Sequence, residues 1–182
     1  MTPDDQVTLL SAGDITNKLE RMTAQIHEAH PDDPLACVGI HTRGAILSQR
    51  VHALLSSKRD KVEHGTLDIA LYRDDLDNLG TIPMIKGSDI PFQVEGAHIV
   101  LFDDVLFTGR TIRAALDELM DYGRPAKIEL AVLIDRGHRE LPIAPDYLGQ
   151  RIETARAAHI RVCFQEIDGR DGVFLREGES LP

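Results

Sequence analysis

Short apolar runs alternate along this chain with segments whose apolar residues recur at helical spacing. The strand-like run Leu35–Ile40 precedes a helical pattern between residues 46 and 55. The run His98–Phe102 precedes a second helical pattern, Ile112–Met120, and a third run, Ile128–Ile134, completes a βαβ unit. Strands that alternate with helices pair through crossover connections. The sequence therefore predicts an α/β fold whose parallel sheet is covered by helices on both faces.

Other segments complete this outline. Apolar residues between Ile15 and Ile26 follow steps of four, three and four, which predicts an amphipathic helix that begins at Ser11 or Asp14 and ends near His30. Alternation over residues 67–71 predicts a strand, and the stretch 160–167 predicts another. The segment Arg73–Glu95 is polar and aperiodic, which is typical of a long loop that acts as a lid.

Length and composition narrow the class of protein. The 182 residues fit one domain, 1–182, and the 42% hydrophobic residues fall in runs too short to span a membrane. The N-terminus carries no basic cluster before an apolar stretch, so a cytoplasmic location is expected. Cys37 and Cys163 lie in strand-like runs and are expected to be reduced core thiols. A net charge of −10 opposes nonspecific attraction to nucleic acid.

One segment combines a strand end with polar residues. In open α/β sheets, ligands bind beyond the carboxyl ends of the strands. Asp103 and Asp104 follow a buried run there, and Thr108–Thr111 opens the next helix, where backbone N–H groups and two hydroxyls can bind a phosphate. The spacing is not that of a Walker A loop. The same residue types also cap ordinary helices, so this cluster alone fits a phosphate site and a capped helix equally well.

The two adjacent carboxylates favour the phosphate site. Asp103 and Asp104 can accept hydrogen bonds from neighbouring sugar hydroxyls while a phosphate is held at the other end of the segment. A pentose and its phosphate would then be recognised together.

The segment from Ile99 to Thr111 resembles the motif of type I phosphoribosyltransferases that binds 5-phosphoribosyl 1-diphosphate (PRPP). Further landmarks resemble those of the PyrR family, and they are Thr42–Gly44, Leu67–Leu76, Lys86–Gly87, Leu130–Pro142 and Asp146–Tyr147. The resemblance runs from about Leu9 to Val173. It implies the type I phosphoribosyltransferase fold, a twisted and largely parallel sheet flanked by helices, with a small hood and a flexible flap loop.

The resemblance also implies roles for individual residues. Asp103 and Asp104 would bind the ribose hydroxyls. The implied PRPP-binding set is Thr42, Arg43, Asp103, Asp104, Val105, Leu106, Phe107, Thr108, Gly109, Arg110 and Thr111. Within it, Thr42 and Arg43 match the pyrophosphate loop. Arg73 would act in catalysis from the flap, although for an isolated Arg of this kind the sequence by itself favours an exposed side chain paired with Asp74 or Asp75.

The implied reaction is transfer of the phosphoribosyl group from PRPP to uracil, which yields UMP and pyrophosphate. Mg²⁺ would be held mainly by PRPP, with no dedicated protein ligands. Arg136 and His138 would lie near the base, where His138 can also be a simple loop residue. Purine-specific relatives carry an Asp where this chain has Phe107, which favours a pyrimidine over a purine and leaves no general base. Transfer to a purine or to orotate is the alternative enzymatic interpretation.

A second implied function is RNA binding in a UMP-responsive attenuator, by a homodimer or homotetramer. Basic or polar residues that contact RNA in the family are replaced in this chain at Glu20, Ala24, Ala29, Ala144 and Gln150, while Arg139 and Arg151 remain. RNA binding is therefore expected to be weakened, unless cations such as Lys18 and Arg21 restore the surface.

Overall fold

The computed structural model describes residues 6–31, 33–71 and 87–176. Its central sheet has five parallel strands in the order β3-β2-β4-β5-β6. They are β2 (Leu35–Ile40), β3 (Val62–Leu67), β4 (His98–Leu106), β5 (Lys127–Asp135) and β6 (Tyr147–Arg151). The predicted parallel α/β architecture is confirmed.

Three long helices cover the two faces of this sheet: α1 (Ala12–Ala29), α2 (Arg43–Ser56) and α3 (Arg110–Asp121). Side chains alternate along β4, so that Phe102 packs in the core beneath α1 and α2 while Leu101 packs in the core beneath α3. Both side chains are fully buried. This alternation explains why β2 and β4 are continuous apolar runs in the sequence.

Local signals set the start of α1 as predicted. The Ser11 side chain accepts a hydrogen bond from the Asp14 N–H at 3.2 Å, and the Asp14 carboxylate accepts one from the Ser11 N–H at 2.8 Å. This capping box satisfies two N–H groups that the helix leaves open. The helix ends at Ala29, with His30 as its C-terminal cap.

A separate three-stranded antiparallel sheet forms the hood, in the order β1-β8-β7. Its strands are β1 (Val7–Leu10), β7 (His159–Cys163) and β8 (Gly172–Arg176), with the short helix α4 (Gln165–Asp168) between the last two. The predicted strand over 160–167 is too long, because α4 begins at Gln165 and ends at Asp168, where Gly169, with a φ of 70°, is the C-terminal cap. Phe164 anchors the hood in the core beneath α1 and α2.

The strand predicted over 67–71 is displaced. β3 ends at Leu67, and Ile69–Leu71 forms a 3₁₀ turn. The Asp68 carboxylate accepts hydrogen bonds from the N–H groups of Ala70, at 3.2 Å, and Gly87, at 3.1 Å. These bonds turn the backbone away from the sheet. Asp side chains commonly bind backbone N–H groups in this way, in place of the hydrogen bonds between strands.

Part of the segment predicted to be a lid is paired with the central sheet. Asp89 exchanges two backbone hydrogen bonds with Thr66 of β3, at 2.8 and 2.9 Å, and Val94 is buried. Residues 87–95 are thus fixed to the sheet. The remainder of the predicted lid, residues 73–86, lies outside the described residues.

Within the described ranges, no helix is both long and apolar enough to cross a bilayer. Cys37 and Cys163 are free and buried, as expected, and burial raises the pKa of the Cys37 thiol to about 12.

Candidate active site

The carboxylate pair lies within β4, which extends beyond the apolar run that predicted it. Asp103 is buried and Asp104 half-buried, and the Asp104 N–H donates to Oδ1 of Asp103 at 2.9 Å. Burial raises the pKa of Asp103 well above its usual value, and the neighbouring Asp104 carboxylate adds to the rise. Burial also raises the pKa of Asp104, against the opposing influence of the Asp103 hydrogen bond and of the Arg43 charge. Two carboxylates held this close favour hydroxyl donors or a cation as ligand.

The loop after β4 leads directly into α3. Gly109, with a φ of 95°, is the residue before the helix, and a Cβ there would lie 3.3 Å from side-chain atoms of Leu141 and Ile143. Glycine is required both by this left-handed conformation and by the close packing. Gly109 offers no side-chain cap, and the Arg110 N–H donates a long hydrogen bond of 3.4 Å to the Thr108 hydroxyl, so a hydroxyl and the N-terminus of α3 meet where an anion is favoured.

Arg139 fixes the loop between β4 and α3 through hydrogen bonds to backbone carbonyl oxygens. Its guanidinium donates to the carbonyl oxygens of Phe107, at 2.6 Å, and Ile143, at 2.9 Å, and it pairs with the Asp135 carboxylate at 2.6 Å. The Thr108 carbonyl in turn accepts hydrogen bonds from the N–H groups of Glu140 and Leu141. The segment after β5 therefore shapes the predicted phosphate loop.

The Thr42–Arg43 loop lies beside the end of β4. The peptide bond between His41 and Thr42 is cis, and α2 begins at Arg43. A Cβ on Gly44 would lie 2.5 Å from the Phe102 carbonyl oxygen, so only glycine allows α2 to approach β4 this closely. Arg43 forms an ion pair with Asp168 of α4 at 2.9 Å.

The tertiary structure thus brings the two predicted loops together. A Cβ on Gly44 would lie 3.1 Å from the Cα atom of Asp103, and Asp168 adds a hood residue that sequence reasoning missed. No local signal could have identified Asp168, because it is 125 residues from Arg43 in the chain.

An aromatic and cationic cluster surrounds Phe107. The Arg136 guanidinium carbon lies 4.2 Å from the centre of the Phe107 ring, and the His138 ring lies 5.8 Å from it, edge to face. Arg136 is 5% exposed and donates to the backbone carbonyls of Ala155 and Arg156. Nε2 of His138 donates to the Thr154 carbonyl at 2.6 Å. Hydrogen bonds to backbone carbonyls fix the Arg136 and His138 side chains, and both side chains pack against the Phe107 ring.

The other predicted site residues occupy varied positions. Val105 and Leu106 belong to β4, while Arg110 and Thr111 form the first turn of α3. Arg110 is exposed, and its Nε atom pairs with Glu140 at 2.8 Å. Arg73 lies outside the described residues.

Two cations expected on an RNA-binding surface are engaged elsewhere. The bonds of Arg139 to the phosphate loop occupy its guanidinium, and Arg21 donates to the carbonyls of Leu148, at 2.9 Å, and Gly149, at 2.5 Å. Glu20 is exposed on the same helix. The guanidinium of Arg139 is therefore engaged on all three nitrogens, whereas Arg21 is exposed and bonds through Nη2 alone.

Comparisons with known proteins agree with this geometry. The family model described as "Phosphoribosyl transferase domain" matches residues 6–167. A "Bifunctional protein PyrR" from Roseiflexus is 51% identical over 170 residues, covering 92% of this chain and 93% of the relative. Another PyrR, from Thermus thermophilus, is 49% identical over 174 residues, covering 94% of this chain and 96% of the relative.

Solved structures show the same fold at low identity. A hypoxanthine phosphoribosyltransferase from Trypanosoma cruzi matches with a TM-score of 0.74 at 16% identity, covering 97% of this chain and 93% of that one. One from Staphylococcus aureus matches with a TM-score of 0.70 at 21% identity, covering 97% of each chain.

Proposed function

The chain belongs to the phosphoribosyl transferase family and, within it, to the PyrR proteins, and from this membership we propose that it transfers the phosphoribosyl group of PRPP to uracil. The products are UMP and pyrophosphate. The observation that carries the proposal is the placement of Asp103 and Asp104 at a strand end, immediately before a loop shaped to bind phosphate and beside Arg43.

Each part of this site has a task in the reaction. The N–H groups at the start of α3 bind the 5-phosphate, and the Asp103 and Asp104 carboxylates accept hydrogen bonds from the ribose hydroxyls. The start of α2, at Thr42 and Arg43, binds the pyrophosphate. These interactions fix the anomeric carbon for displacement of pyrophosphate by N1 of uracil, and charge stabilisation at the leaving group lowers the barrier.

The Asp103 and Asp104 pair also fits the Mg²⁺ that accompanies PRPP in this family. Two adjacent carboxylates whose pKa values are raised are stabilised by a nearby cation, and oxygen is the ligand type that Mg²⁺ prefers. When bound, Mg²⁺ supplies positive charge that neutralises the leaving pyrophosphate. PRPP oxygens would hold most of its coordination shell, with the two carboxylates nearby.

Phe107 supports a pyrimidine as the acceptor. Arg136 and His138 hold its ring in place, so the residue that replaces the purine-specific Asp is a fixed apolar surface. Arg136 acts on the base subsite by positioning Phe107, because its own guanidinium is buried and bonded to backbone carbonyls. A flat apolar surface of this kind suits a small planar base.

An assay of the purified protein with PRPP and Mg²⁺ tests the proposal. Uracil, hypoxanthine, guanine and orotate are supplied separately, and pyrophosphate release is measured. We expect turnover with uracil to be at least about 100-fold above that with the other bases. A site that forms specific hydrogen bonds with the polar groups of one base can discriminate by at least this factor. Turnover with hypoxanthine or guanine equal to that with uracil would refute the pyrimidine assignment.

A second function, UMP-responsive binding of RNA from a pyrimidine operon, is supported by the name "Bifunctional protein PyrR" carried by the relatives. The engaged Arg21 and Arg139 side chains argue that this binding is weak in this chain. Assembly as a homodimer or homotetramer, the single domain over 1–182 and the cytoplasmic location remain predictions, of which sedimentation analysis tests the first.

A further inference from the structure

A group of metal-ligating side chains lies at the end of the central sheet opposite the candidate active site. His98 is the first residue of β4, whereas Asp103 and Asp104 lie near the carboxyl end of the same strand. His30 caps the end of α1, and Asp33 lies in the connection from α1 to β2. One ligand atom from each of His30, Asp33 and His98 lies within 4.8 Å of the others.

The hydrogen bonds of His30 leave one ring nitrogen available to a ligand. Its Nε2 atom lies 2.6 Å from Oε2 of Glu129, and because a carboxylate accepts, Nε2 carries the proton. Nδ1 is then an acceptor, and it is buried without a hydrogen-bonding partner among the described residues. It lies 3.9 Å from Oδ2 of Asp33. A buried acceptor left unpaired is costly, and a bound cation would satisfy it.

Glu129 orients both imidazoles at once. The same Oε2 atom lies 3.1 Å from Nε2 of His98, while Oε1 accepts a hydrogen bond from Lys127 at 2.6 Å. Carboxylates that fix histidines through the nitrogen opposite the metal are typical of zinc sites.

A cavity gives solvent access to this group. It has a volume of about 540 Å³, and Asp33 and His98 both line it. Glu63 and Glu95 also line it, and its described lining contains no Lys or Arg. The cavity is therefore electronegative and wide enough to admit a hydrated cation.

We propose that His30, Asp33 and His98 bind one Zn²⁺ ion, with a water molecule from the cavity in the fourth position. Two imidazoles favour zinc over Mg²⁺ and Ca²⁺, which prefer oxygen ligands. Ligand atoms about 2 Å from a tetrahedral ion are roughly 3.3 Å apart. The Asp33 side chain is 67% exposed, so a small rotation closes its 3.9 Å distance from His30 to that value.

The ion would join three elements that are distant in sequence: the end of α1, the start of β2 and the start of β4. Zinc binding would raise the stability of the folded protein without acting on the transferase reaction, because the site lies at the opposite end of β4 from the carboxylate pair. Zinc binding is thus independent of the transferase function proposed above.

Titration of chelator-treated protein with ZnCl₂ in a calorimeter, in the presence of a competing chelator, tests the site. We expect one equivalent to bind, and the melting temperature to rise with zinc concentration. Asp33→Asn and His98→Gln should each weaken binding by at least about 10-fold, the scale of a lost coordinating or supporting group. Co²⁺ in place of zinc should give the visible absorption of a tetrahedral site in the unsubstituted protein only.

Matched variants separate this site from general binding by surface groups. Glu63→Gln removes a carboxylate of the same cavity and should leave zinc affinity within twofold. His52→Gln should do the same, although His52 and His64 form another imidazole pair, with ring centres 5.2 Å apart. The absence of saturable binding near one equivalent, or unchanged affinity in Asp33→Asn, would overturn the proposal. Because Asp33 is exposed, its substitution tests the site without disturbing the core, and transferase turnover should be unchanged.

Discussion

At the scale of single residues, burial raises the pKa values of Asp103 and Asp104, so these two carboxylates are held at some cost to the fold. An acid whose pKa is higher in the folded state destabilises that state as the pH rises from its unfolded value through its folded value. Functional groups held in unfavourable surroundings are common at active sites.

We predict that the double variant Asp103→Asn, Asp104→Asn loses transferase turnover and keeps its fold. Its melting temperature at pH 7.5 should equal or exceed that of the unsubstituted protein, because two poorly solvated carboxylates are removed. The difference should shrink as the pH falls toward about 4 and should vanish below it, where the carboxyls of the unfolded chain are protonated as well. Calorimetric melting and a pyrophosphate-release assay measure the two effects, with Asp117→Asn on the exposed side of α3 as control. Near-native turnover would remove the assigned ribose role.

His64 should contribute to the pH dependence of stability. Burial lowers its pKa, and the charge of His52 lowers it further, against a small opposing effect of Asp89. Its Nε2 atom lies 3.0 Å from the Ser48 hydroxyl. Because the unfolded chain binds a proton more readily, this contribution is full above about pH 6.5 and is lost as the pH falls below that value.

His64→Gln should therefore flatten the decline of the free energy of unfolding between about pH 6.5 and 5. Urea denaturation at half-unit pH steps measures it. His159→Gln, on an exposed residue of β7, is the control and should leave the decline unchanged. An equal decline in both variants would exclude His64 as its source.

At the scale of elements, the hood is joined to α2 through Arg50 as well as through Arg43. Arg50 pairs with Glu166 at 2.7 Å and with Asp171 at 2.8 Å, and its guanidinium lies 4.8 Å from the centre of the Phe164 ring. The hydrogen bonds that Arg50 donates to the Asp171 and Glu166 carboxylates raise its pKa. These interactions fix the hood residues that surround Asp168, the partner of Arg43.

We predict that Arg50→Ala lowers the free energy of unfolding by about 1–2 kcal/mol. This is the contribution of a charged hydrogen-bonded pair, reduced because solvent partly screens it. The KM for PRPP should rise, because the hood beside the pyrophosphate loop loosens. Arg113→Ala removes an exposed pair with Asp117 on α3 and should change stability by less than about 0.5 kcal/mol. Urea denaturation measures the free energy of unfolding of both variants. If the two variants lose equal amounts, Arg50 contributes no more to stability than an exposed surface pair.

The lid prediction now concerns residues 73–86, since residues 87–95 are fixed to β3. We expect hydrogen exchange in residues 73–86 to slow when PRPP and Mg²⁺ are added, because Arg73 would be drawn toward the pyrophosphate. Exchange in residues 87–95 should stay constant and serves as the internal reference. Equal protection of residues 73–86 with and without ligand would mean that this segment is not a lid.

At the scale of the whole molecule, charge decides how strongly RNA can bind. The net charge is −10, and the guanidinium groups of Arg21 and Arg139 are bonded to backbone carbonyls. A cation that no longer pairs with an RNA phosphate lowers the salt dependence of binding by roughly one counterion.

We predict weak binding to the leader RNA of a pyrimidine operon, with a shallow dependence on salt. Filter binding across a salt series, with and without UMP, measures it. Glu20→Lys should strengthen binding and steepen the salt slope by about one counterion. Nanomolar binding that UMP enhances at physiological salt, in the unsubstituted protein, would contradict the prediction.

Features that depend on neighbours in the chain could be predicted from the sequence. The α1 stripe and its capping box, the buried runs of β2 and β4, and the loop from Asp103 to Thr111 rest on periodicity, capping and turn chemistry within a few residues. The identity of the PRPP motif follows from the same local pattern. The sequence by itself thus determined the fold class, the family and the candidate site at the end of β4.

The hood and the support of the site depended on interactions between distant residues. β1, β6 and β8 are four or five residues long, too short for a clear period, and they are stabilised by pairing with strands elsewhere. Arg139 and Asp168 resemble surface charges in the sequence, yet they hold the phosphate loop and Arg43. His30 meets Glu129 across 99 residues. Only the tertiary structure decided these partners, because side chains meet between elements whose relative positions no local pattern records.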